Sequence, residues 1–312
     1  MHIIVSGVNG LIGKALVPAL EAAGHRVTRL VRGRARPGWA EIAWEPDTGR
    51  IAPQAMEGAD AVVHLAGESI VGRWSADKKR RIYDSRVRGT RVICEALRQV
   101  VKAPKAFVCA SAVGYYGNCG ERLLQEESRA GRDFLARVCM DWEAAARPAT
   151  SRGIRVVSAR LGMVLSSSGG ALGQMLPPFR LGVGGALGSG SQYMSWISLD
   201  DVVGAITHVL TTDSLHGPVN FVAPEVVRNS EFTQTLGRVL RRPTRFRVPA
   251  FAARLLFGEM AQALLLASTR VEAAKLQASG YSFRYPELEG ALRHLLGKPL
   301  SGPQSHAAEA QT

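Results

Sequence analysis

A GxxGxxG pattern near the N-terminus constrains the fold of this chain more than any other feature. Gly7, Gly10 and Gly13 follow an apolar strand predicted at residues 3–5 and open a helix predicted at residues 11–23. In such a loop the first glycine permits the tight turn, the second lets backbone amides approach a pyrophosphate, and the third lets the helix pack on the sheet. The helix N-terminus then faces an anion. We predict a dinucleotide site that also includes three further residues of this loop, Asn9, Leu11 and Ile12.

The next predicted strand, at residues 26–31, indicates which dinucleotide binds. Sites for NAD(H) carry an acidic residue at the end of this strand, where it binds the ribose 2′-hydroxyl. Here Val31 stands at that place, and Arg32 follows it, with Arg34 and Arg36 nearby. Guanidinium groups suit a 2′-phosphate. The sequence therefore favours NADP(H) over NAD(H), with Arg32 as the phosphate ligand; ordinary solvated arginines are the alternative.

Strand and helix candidates alternate through the N-terminal part of the chain. Apolar strands are predicted at residues 60–67, 106–111 and 154–161, with helices at residues 75–101 and 132–147 between them. This alternation predicts an α/β fold of the Rossmann type, a doubly wound parallel sheet with right-handed crossovers. The ligand crevice of such a sheet lies at the carboxyl ends of its strands. Three residues at one strand end are therefore predicted to line the cofactor site: Leu65, Ala66 and Gly67.

A glycine-rich stretch at residues 166–190 interrupts the alternation. Its sequences SSSGGALG and GVGGALGSG flank LPPF, a composition that favours a mobile loop over the crevice. The later part of the chain is predicted to be mainly helical. We expect a dinucleotide-binding domain at residues 1–225, a smaller helical substrate domain at residues 226–300 and a disordered tail at residues 301–312.

Composition argues against several other classes of protein. No apolar run is long enough to span a membrane and no signal-peptide pattern is present, which favours a cytoplasmic protein without a membrane partner. The net charge of +13 is dispersed apart from KKRR at residues 78–81 and the pair Arg241 and Arg242, so no specific nucleic-acid partner is predicted. The cysteines lack metal-ligand spacing, which predicts no metal site and reduced thiols. They are Cys94, Cys109, Cys119 and Cys139.

Several longer motifs resemble the extended short-chain dehydrogenase/reductase superfamily. They are GVNGLIG at residues 7–13, HLAGESI at 64–70, GRW at 72–74, SRVRGTR at 85–91, SAVGYYG at 111–117 and SWISLDD at 195–201. More specifically, the chain resembles the atypical branch of epimerase family proteins. GEMAQALL at residues 258–265, the pair Lys275 and Leu276, and GYSFRYPELEGAL at residues 280–292 are similar to that branch's C-terminal domain of unknown function. The resemblance covers residues 1–296 and implies a Rossmann fold that binds NADP(H), without a settled reaction.

The chain departs from the catalytic pattern of that superfamily. Extended members normally use a Tyr, with a Lys four residues later, as acid/base pair and ribose clamp on the helix after the Ser strand. Aligning Glu143 with the glutamate that commonly follows this motif places Leu135 at the Tyr position and Cys139 at the Lys position. Neither side chain can transfer a proton as the usual pair does.

The remaining catalytic candidates lie at the end of the strand at residues 106–111 and on the loop that follows it. Counting back from Tyr116 places the superfamily's serine at Ala112, whereas a one-residue insertion restores Ser111. We prefer Ser111, both for catalysis and as a cofactor neighbour. Tyr115 and Tyr116 are the candidates for a phenol that protonates or hydrogen-bonds a carbonyl oxygen; packing of both rings against the loop is the alternative.

Further polar residues are predicted to line the crevice. Four of them are expected to face the substrate: Glu68, Arg160, Gln192 and Trp196. For Trp196, closing the core is the alternative. Asp200 or Asp201 is a second carboxylate candidate, although N-capping explains Asp200 better than chemistry does. His64, inside an apolar strand, is predicted as a core residue or cofactor neighbour in preference to a base.

Two classes of function remain open at this point. The first is an NADP(H)-dependent oxidoreductase or epimerase acting on a small carbonyl, hydroxyl or nucleotide-sugar-like substrate, with Ser111 and a Tyr handling the oxygen. The second is a nucleotide-binding regulator, in which the dinucleotide stabilises a closed state of the C-terminal domain. The sequence identifies neither the substrate nor the oligomeric state, and a homodimer is one of the alternatives.

Overall fold

The computed structural model describes residues 1–299, and its centre is an eight-stranded sheet. Across the sheet, with strands numbered in chain order, lie β13 (Gly217–Phe221), β8 (Arg155–Leu161), β6 (Ala106–Ala112), β5 (Ala61–His64), β1 (His2–Ser6), β2 (Arg26–Arg32), β3 (Glu41–Glu45) and β4 (Arg50–Ile51). All neighbours pair in parallel except β3 and β4. The predicted tail at residues 301–312 lies outside the described residues.

Helices cover both faces of this sheet. One face carries α1 (Leu11–Ala22) and α5 (Leu199–Thr211), and the other carries α2 (Ala76–Gln99) and α3 (Phe134–Ala146). Alternate residues of each central strand enter opposite cores: in β1, Ile3 and Val5 pack towards α1, whereas Ile4 packs towards α2. Burial on both faces explains why these strands are almost entirely apolar. The predicted doubly wound α/β fold is confirmed.

Side-chain caps fix where the two helices of the second face begin. The Ser75 side chain accepts a hydrogen bond from the Lys78 amide at 3.2 Å at the start of α2. The Asp133 side chain does the same for the Ala136 amide at 2.9 Å at the start of α3. Such caps satisfy amides that have no partner within the helix.

The glycine-rich stretch at residues 166–190, expected to be a mobile loop over the crevice, contains a helix and a strand, and its mobility stays a prediction. It includes α4 (Gly170–Arg180) and β10 (Gly185–Leu187). Leu172, Leu176 and Phe179 lie on one side of α4 and are buried. Their spacing is that of an amphipathic helix, and burial of this side outweighs the low helix propensity of glycine.

The part of the chain after Phe221 is mainly helical, as predicted. Its helices are α6 (Asn229–Leu240), α7 (Ala250–Phe257), α8 (Ala274–Ala278), α9 (Leu288–Leu295) and a π-helical turn (Ala261–Leu265). Short strands pair outside the main sheet: β9 (Met163–Ser166) with β12 (Trp196–Ser198), β10 with β15 (Phe246–Val248), β11 (Tyr193–Met194) with β14 (Val227–Arg228), and β7 (Leu123–Leu124) with β16 (Arg270–Val271). Three of these pairs, β10 with β15, β11 with β14 and β7 with β16, connect the part of the chain after Phe221 to segments that precede it. The domain boundary at residue 225 stays a prediction.

Candidate cofactor and active site

The glycine loop has the close backbone approaches that a dinucleotide cradle needs. Gly7 has φ of +72°, and a Cβ there would lie 2.6 Å from the carbonyl carbon of Leu65 and 2.7 Å from the amide nitrogen of Ala66. A Cβ at Gly13 would collide with the carbonyl oxygen of Gly7. The Gly10 amide donates to the Gly7 oxygen at 2.9 Å, and α1 begins with the next residue. The loop thus fits a pyrophosphate at the start of a helix.

A buried hydrogen bond holds the two strands beneath this loop together. His64 Nδ1 lies 2.6 Å from Ser6 Oγ, and Ser6 Oγ also accepts from the Leu65 amide at 3.2 Å. Burial, together with the charge of Arg86, lowers the pKa of His64 to about 3. The imidazole is therefore neutral at ordinary pH, and it packs against the Trp44 and Phe107 rings. His64 lies in the core, as predicted.

The arginines at and after the end of β2 differ in their contacts: Arg36 is paired, whereas the exposed side chains of Arg32 and Arg34 are not paired with any described residue. Arg36 binds Glu41 through Nε at 3.0 Å, and its guanidinium carbon lies 3.8 Å above the Trp39 ring. Arg32 is exposed at the end of β2, and its side chain makes no hydrogen bond or ion pair within residues 1–299. Its guanidinium is therefore available to a ligand, whereas that of Arg36 is already engaged.

Ser111 at the end of β6 hydrogen-bonds into the protein interior. Its hydroxyl donates to Glu143 Oε1 on α3 at 2.8 Å. Arg160 on β8 holds the same carboxylate at two points, with Nε 2.8 Å from Oε1 and Nη2 2.9 Å from Oε2. All three side chains are buried. Such a charged group is tolerated in the interior because each charge has a partner.

The structure distinguishes the two tyrosines of the following turn (Val113–Tyr116). Tyr116 is buried, donates to Asn220 Oδ1 at 2.7 Å and accepts from Arg160 Nη1 at 2.9 Å. Burial raises the pKa of Tyr116 to about 12. Tyr115 is partly exposed, its ring centre lies 3.5 Å from the Arg160 guanidinium carbon, and its hydroxyl has no hydrogen-bond partner in the described chain. Tyr115 therefore carries the free phenol of the pair.

Leu135 and Cys139 on α3 are both packing residues. Leu135 belongs to a small cluster with Trp74, Ile82 and Met260, which places the C-terminal part of the chain over this end of α3. Burial raises the pKa of the Cys139 thiol to about 12, and the nearby Glu143 carboxylate adds to the shift. The helix therefore offers no proton-transfer group at either position.

The structure does not gather the four predicted substrate residues around one point. Arg160 belongs to the buried group above, and Trp196 is 0% exposed in the core formed by α4, α6 and α9. The expected substrate-facing position of Trp196 is therefore wrong, since its ring has no accessible surface. Glu68 pairs with Lys78 at 2.8 Å, and this hydrogen bond lowers the pKa of the carboxyl.

Gln192, the fourth of these residues, connects two segments of backbone. Its amide nitrogen donates to the Leu187 oxygen at 3.1 Å and to the Leu265 oxygen at 3.0 Å. It also lines a cavity of about 280 Å³ together with Glu121, Arg254 and several serines. Gln192 thus fixes the wall of this cavity, and its contact with a substrate stays a prediction.

Asp201 has a role that sequence reasoning missed. Its carboxylate accepts from the Arg284 amide at 2.7 Å, the Tyr285 amide at 3.1 Å and the Ser198 hydroxyl at 2.7 Å. Asp201 therefore anchors the C-terminal GYSFRYP segment to the start of α5, where Ser198 is the cap. Arg284 and Tyr285 lie 83 and 84 positions from Asp201 in the sequence, so no local pattern predicts these two contacts.

The chain matches a known protein family over most of its length. Residues 3–222 match the model of the NAD dependent epimerase/dehydratase family. The chain belongs to this family. Residues 248–295 of this family member match a further domain of unknown function, DUF1731, in agreement with the resemblance noted for the C-terminal motifs.

Relatives match almost the whole chain. An epimerase family protein of Mycobacterium bovis is 44% identical over 298 residues, which are 95% of this chain and 98% of that protein. The human epimerase family protein SDR39U1 is 38% identical over 301 residues, 95% of this chain and 100% of that protein. A crystal structure of human SDR39U1, isoform 2, with NADPH aligns with a TM-score of 0.85 at 35% identity and covers 95% of this chain and 99% of that one.

The described residues contain neither a metal-binding cluster nor a membrane-spanning helix. Within residues 1–299, no group of three or more His, Cys, Asp and Glu side chains is arranged to hold a metal ion. Over the same residues, no helix combines the length and apolar character needed to cross a membrane. The cytoplasmic location stays a prediction.

Proposed function

We propose that this family member binds NADP(H) at the carboxyl ends of β1, β2, β5 and β6. The observation that carries the proposal is the glycine cradle, in which a Cβ at Gly7 would lie 2.6 Å from Leu65. The unpaired guanidinium of Arg32 at the end of β2 supports NADP(H) in preference to NAD(H). The NADPH in the crystal structure of human SDR39U1 agrees with this choice.

The order of the strands supports a placement of each half of the dinucleotide on one side of the loop. The pyrophosphate would lie at β1 and the amides that begin α1, and the 2′-phosphate at Arg32 beyond β2. The nicotinamide half would then extend in the opposite direction, over β5 and β6, towards Ser111 and Tyr115. When bound, the cofactor supplies a hydride donor or acceptor at its nicotinamide ring.

We further propose that the chain acts as a reductase-like or epimerase-like protein on a small carbonyl, hydroxyl or nucleotide-sugar-like substrate. Tyr115 is the side chain best suited to handle the substrate oxygen, because its phenol is free whereas that of Tyr116 is bonded on both sides. Arg160 orients the Tyr115 ring from beneath, and Glu143 holds Arg160 in place. Ser111 would act through this group, as a positioning residue beside the cofactor.

A second candidate function is favoured by the same buried group. The hydroxyl groups of Ser111 and Tyr116 donate hydrogen bonds to acceptors inside the protein. Leu135 and Cys139 supply no acid or base. A nucleotide-binding regulator needs none of these groups for chemistry. In that case the dinucleotide would stabilise the closed arrangement in which the segment around Met260 covers α3.

Two measurements test these proposals in order. Fluorescence titration with NADPH and NADH tests binding, and failure of the protein to bind either would refute both functions. Absorbance of the bound cofactor, followed during incubation with pools of carbonyl and nucleotide-sugar metabolites, then tests for a reaction. Oxidation of NADPH that is lost in Tyr115→Phe supports the enzyme, and saturable binding without any turnover supports the regulator.

A further inference from the structure

Large apolar side chains are exposed on one part of the C-terminal region. On α7, Phe251 is 71% exposed and Leu255 is 75% exposed, and both lie on the same side of the helix because they are four residues apart. Phe246 on β15 and Leu181, in the turn after α4, are exposed as well. Exposed apolar surface of this kind marks a place where another surface binds.

Backbone packing brings these segments together. β15 pairs with β10, and α7 follows β15 almost at once in the chain. A Cβ added at Gly188 would lie 3.6 Å from the Ala250 Cβ, and a Cβ added at Gly182 would lie 3.6 Å from Pro243 Cγ. The turn after α4, β15 and α7 are therefore neighbours. We call their exposed apolar residues the apolar face: Leu181, Val183, Phe246, Phe251, Leu255 and Leu256.

The charge around the apolar face is positive. Residues 144–199 and 232–258, which include these segments, contain no Asp or Glu. The acid that follows them, Glu259, is paired with Lys79 of α2. Five exposed arginines of these segments make no side-chain hydrogen bond or ion pair within residues 1–299: Arg180, Arg241, Arg242, Arg245 and Arg247. The apolar face thus lies among guanidinium groups that no part of the described chain neutralises.

We infer that the apolar face binds the surface of a lipid bilayer that contains anionic phospholipids. The Phe and Leu side chains enter the boundary between headgroups and acyl chains, and the arginines bind the anionic headgroups beside them. Binding of this kind lies at the surface of the bilayer and needs no spanning helix. The sequence argued against a membrane partner because it lacks a long apolar run, and that argument does not extend to a surface contact. The inference does not depend on NADP(H).

The charges favour a lipid surface over a second copy of this chain. In a two-fold dimer the same patch of each copy meets the other. The unpaired arginines around the apolar face would then lie against the same arginines of the partner, and like charges oppose association. Anionic headgroups supply the opposite charge, and the acyl chains beneath them cover the apolar side chains.

Co-sedimentation with vesicles tests the inference. Binding is measured against vesicles of phosphatidylcholine alone and of phosphatidylcholine mixed with phosphatidylglycerol. We expect the anionic vesicles to bind at least about tenfold more tightly, with weaker binding at high salt. Phe251→Ser combined with Leu255→Ser should weaken this binding by about tenfold or more, because both side chains lose their burial in lipid. Val101→Ser is the control, since Val101 is 90% exposed after α2, outside the apolar face.

A second pair of substitutions tests the arginines. Arg241→Gln combined with Arg242→Gln should weaken binding to the anionic vesicles by about tenfold and reduce its dependence on salt. Arg26→Gln should change neither, because Arg26 is exposed at the start of β2, away from the apolar face. If circular dichroism shows that the variant with both serines is unfolded, the arginine variant decides.

Several results would overturn the inference. They are equal binding to neutral and anionic vesicles, binding to neither, and unchanged binding in the folded variant with both serines. Sedimentation equilibrium without lipid gives a further test. A dimer that Phe251→Ser combined with Leu255→Ser converts to a monomer would assign the apolar face to a second copy instead.

Discussion

Arg160 and Glu143 form a buried two-point ion pair, with distances of 2.8 and 2.9 Å, that connects β8 to α3. Glu143 accepts a hydrogen bond from the Ser111 hydroxyl, and Arg160 contacts both tyrosine rings of the turn after β6. The pair therefore fixes the positions of the polar groups nearest the proposed nicotinamide site. It also removes Ser111 and Tyr116 from free exchange of protons with a substrate.

Breaking this ion pair on one side should destabilise the protein strongly. Arg160→Met leaves the Glu143 carboxylate buried without its partner, and we expect a loss of about 3–5 kcal/mol in the free energy of unfolding, measured with urea. Arg160→Met combined with Glu143→Leu should cost clearly less than the sum of the two single changes. As a control, Arg80→Met removes an exposed pair with Asp77 and should cost under about 1 kcal/mol. Additive losses would contradict the coupling of the two charges.

The two tyrosines of the turn should separate stability from activity. Tyr116→Phe removes a partner from both Arg160 and Asn220, which should cost about 1–3 kcal/mol of unfolding free energy. Tyr115→Phe removes no hydrogen bond, so stability should stay within about 0.5 kcal/mol. Once a substrate is identified, Tyr115→Phe should slow turnover by roughly a hundredfold, and Cys139→Ala should leave it nearly intact. Full activity in Tyr115→Phe would reject Tyr115 as the proton donor.

Arg32 should determine the choice between the two dinucleotides. We expect NADPH to bind at least about tenfold more tightly than NADH, a difference of about 1.4 kcal/mol. Arg32→Glu should abolish this preference, because the carboxylate repels the 2′-phosphate and suits the 2′-hydroxyl. Arg36→Gln is the matched control, since Arg36 already binds Glu41. If Arg32→Glu keeps the full preference in fluorescence titration, the phosphate contact lies elsewhere.

Stability should fall in mild acid because of His64. Its pKa is lowered to about 3 in the folded state, so above its ordinary value of 6.5 both states are neutral and no stability is lost. As the pH falls from 6.5 towards 3, the unfolded chain binds a proton that the folded chain does not, and folding becomes less favourable. At pH 5 this amounts to about 2 kcal/mol.

Unfolding with urea at pH 7 and pH 5 measures the effect. His64→Gln should lose less stability between the two pH values than the natural protein does. His216→Gln is the control, because His216 is exposed and should leave the pH dependence unchanged. An identical pH dependence in His64→Gln would show that other groups account for the acid sensitivity.

Cofactor binding should protect the glycine-rich stretch at residues 166–190 from hydrogen exchange. A Cβ at Gly170, where α4 begins, would lie 3.0 Å from Leu11 Cδ2 in the dinucleotide loop, so ordering of that loop is transmitted directly. We expect slower exchange at the start of α4 when NADPH is bound, and slower exchange still with substrate. The exposed turn at residues 47–49 is an internal reference that should not change. Equal exchange with and without ligand would indicate a purely structural segment.

The sequence determined the features of this protein that depend on short-range patterns. Short stretches of sequence were enough to identify the GxxGxxG loop, the alternation of apolar strands with helices and the absence of an acid after β2. The reason is that backbone conformation and periodic burial depend on neighbouring residues. The same reasoning placed Leu135 and Cys139 on a helix without an acid or base, and the structure has both packed in the interior. It did not detect α4, whose apolar spacing was hidden among glycines and prolines.

Only the tertiary structure decided which polar groups meet. Tyr116 hydrogen-bonds to Asn220, which is 104 positions away in the sequence, and to Arg160, which is 44 positions away. Arg86 contacts a strand end and a helix from other parts of the chain. Parallel strands with helical crossovers bring distant segments to the same edge of the sheet, and nothing in the local sequence fixes which side chains then face one another. A buried charge must find a partner wherever the fold brings one, and that partner determines whether a hydroxyl stays free for chemistry or becomes part of the core.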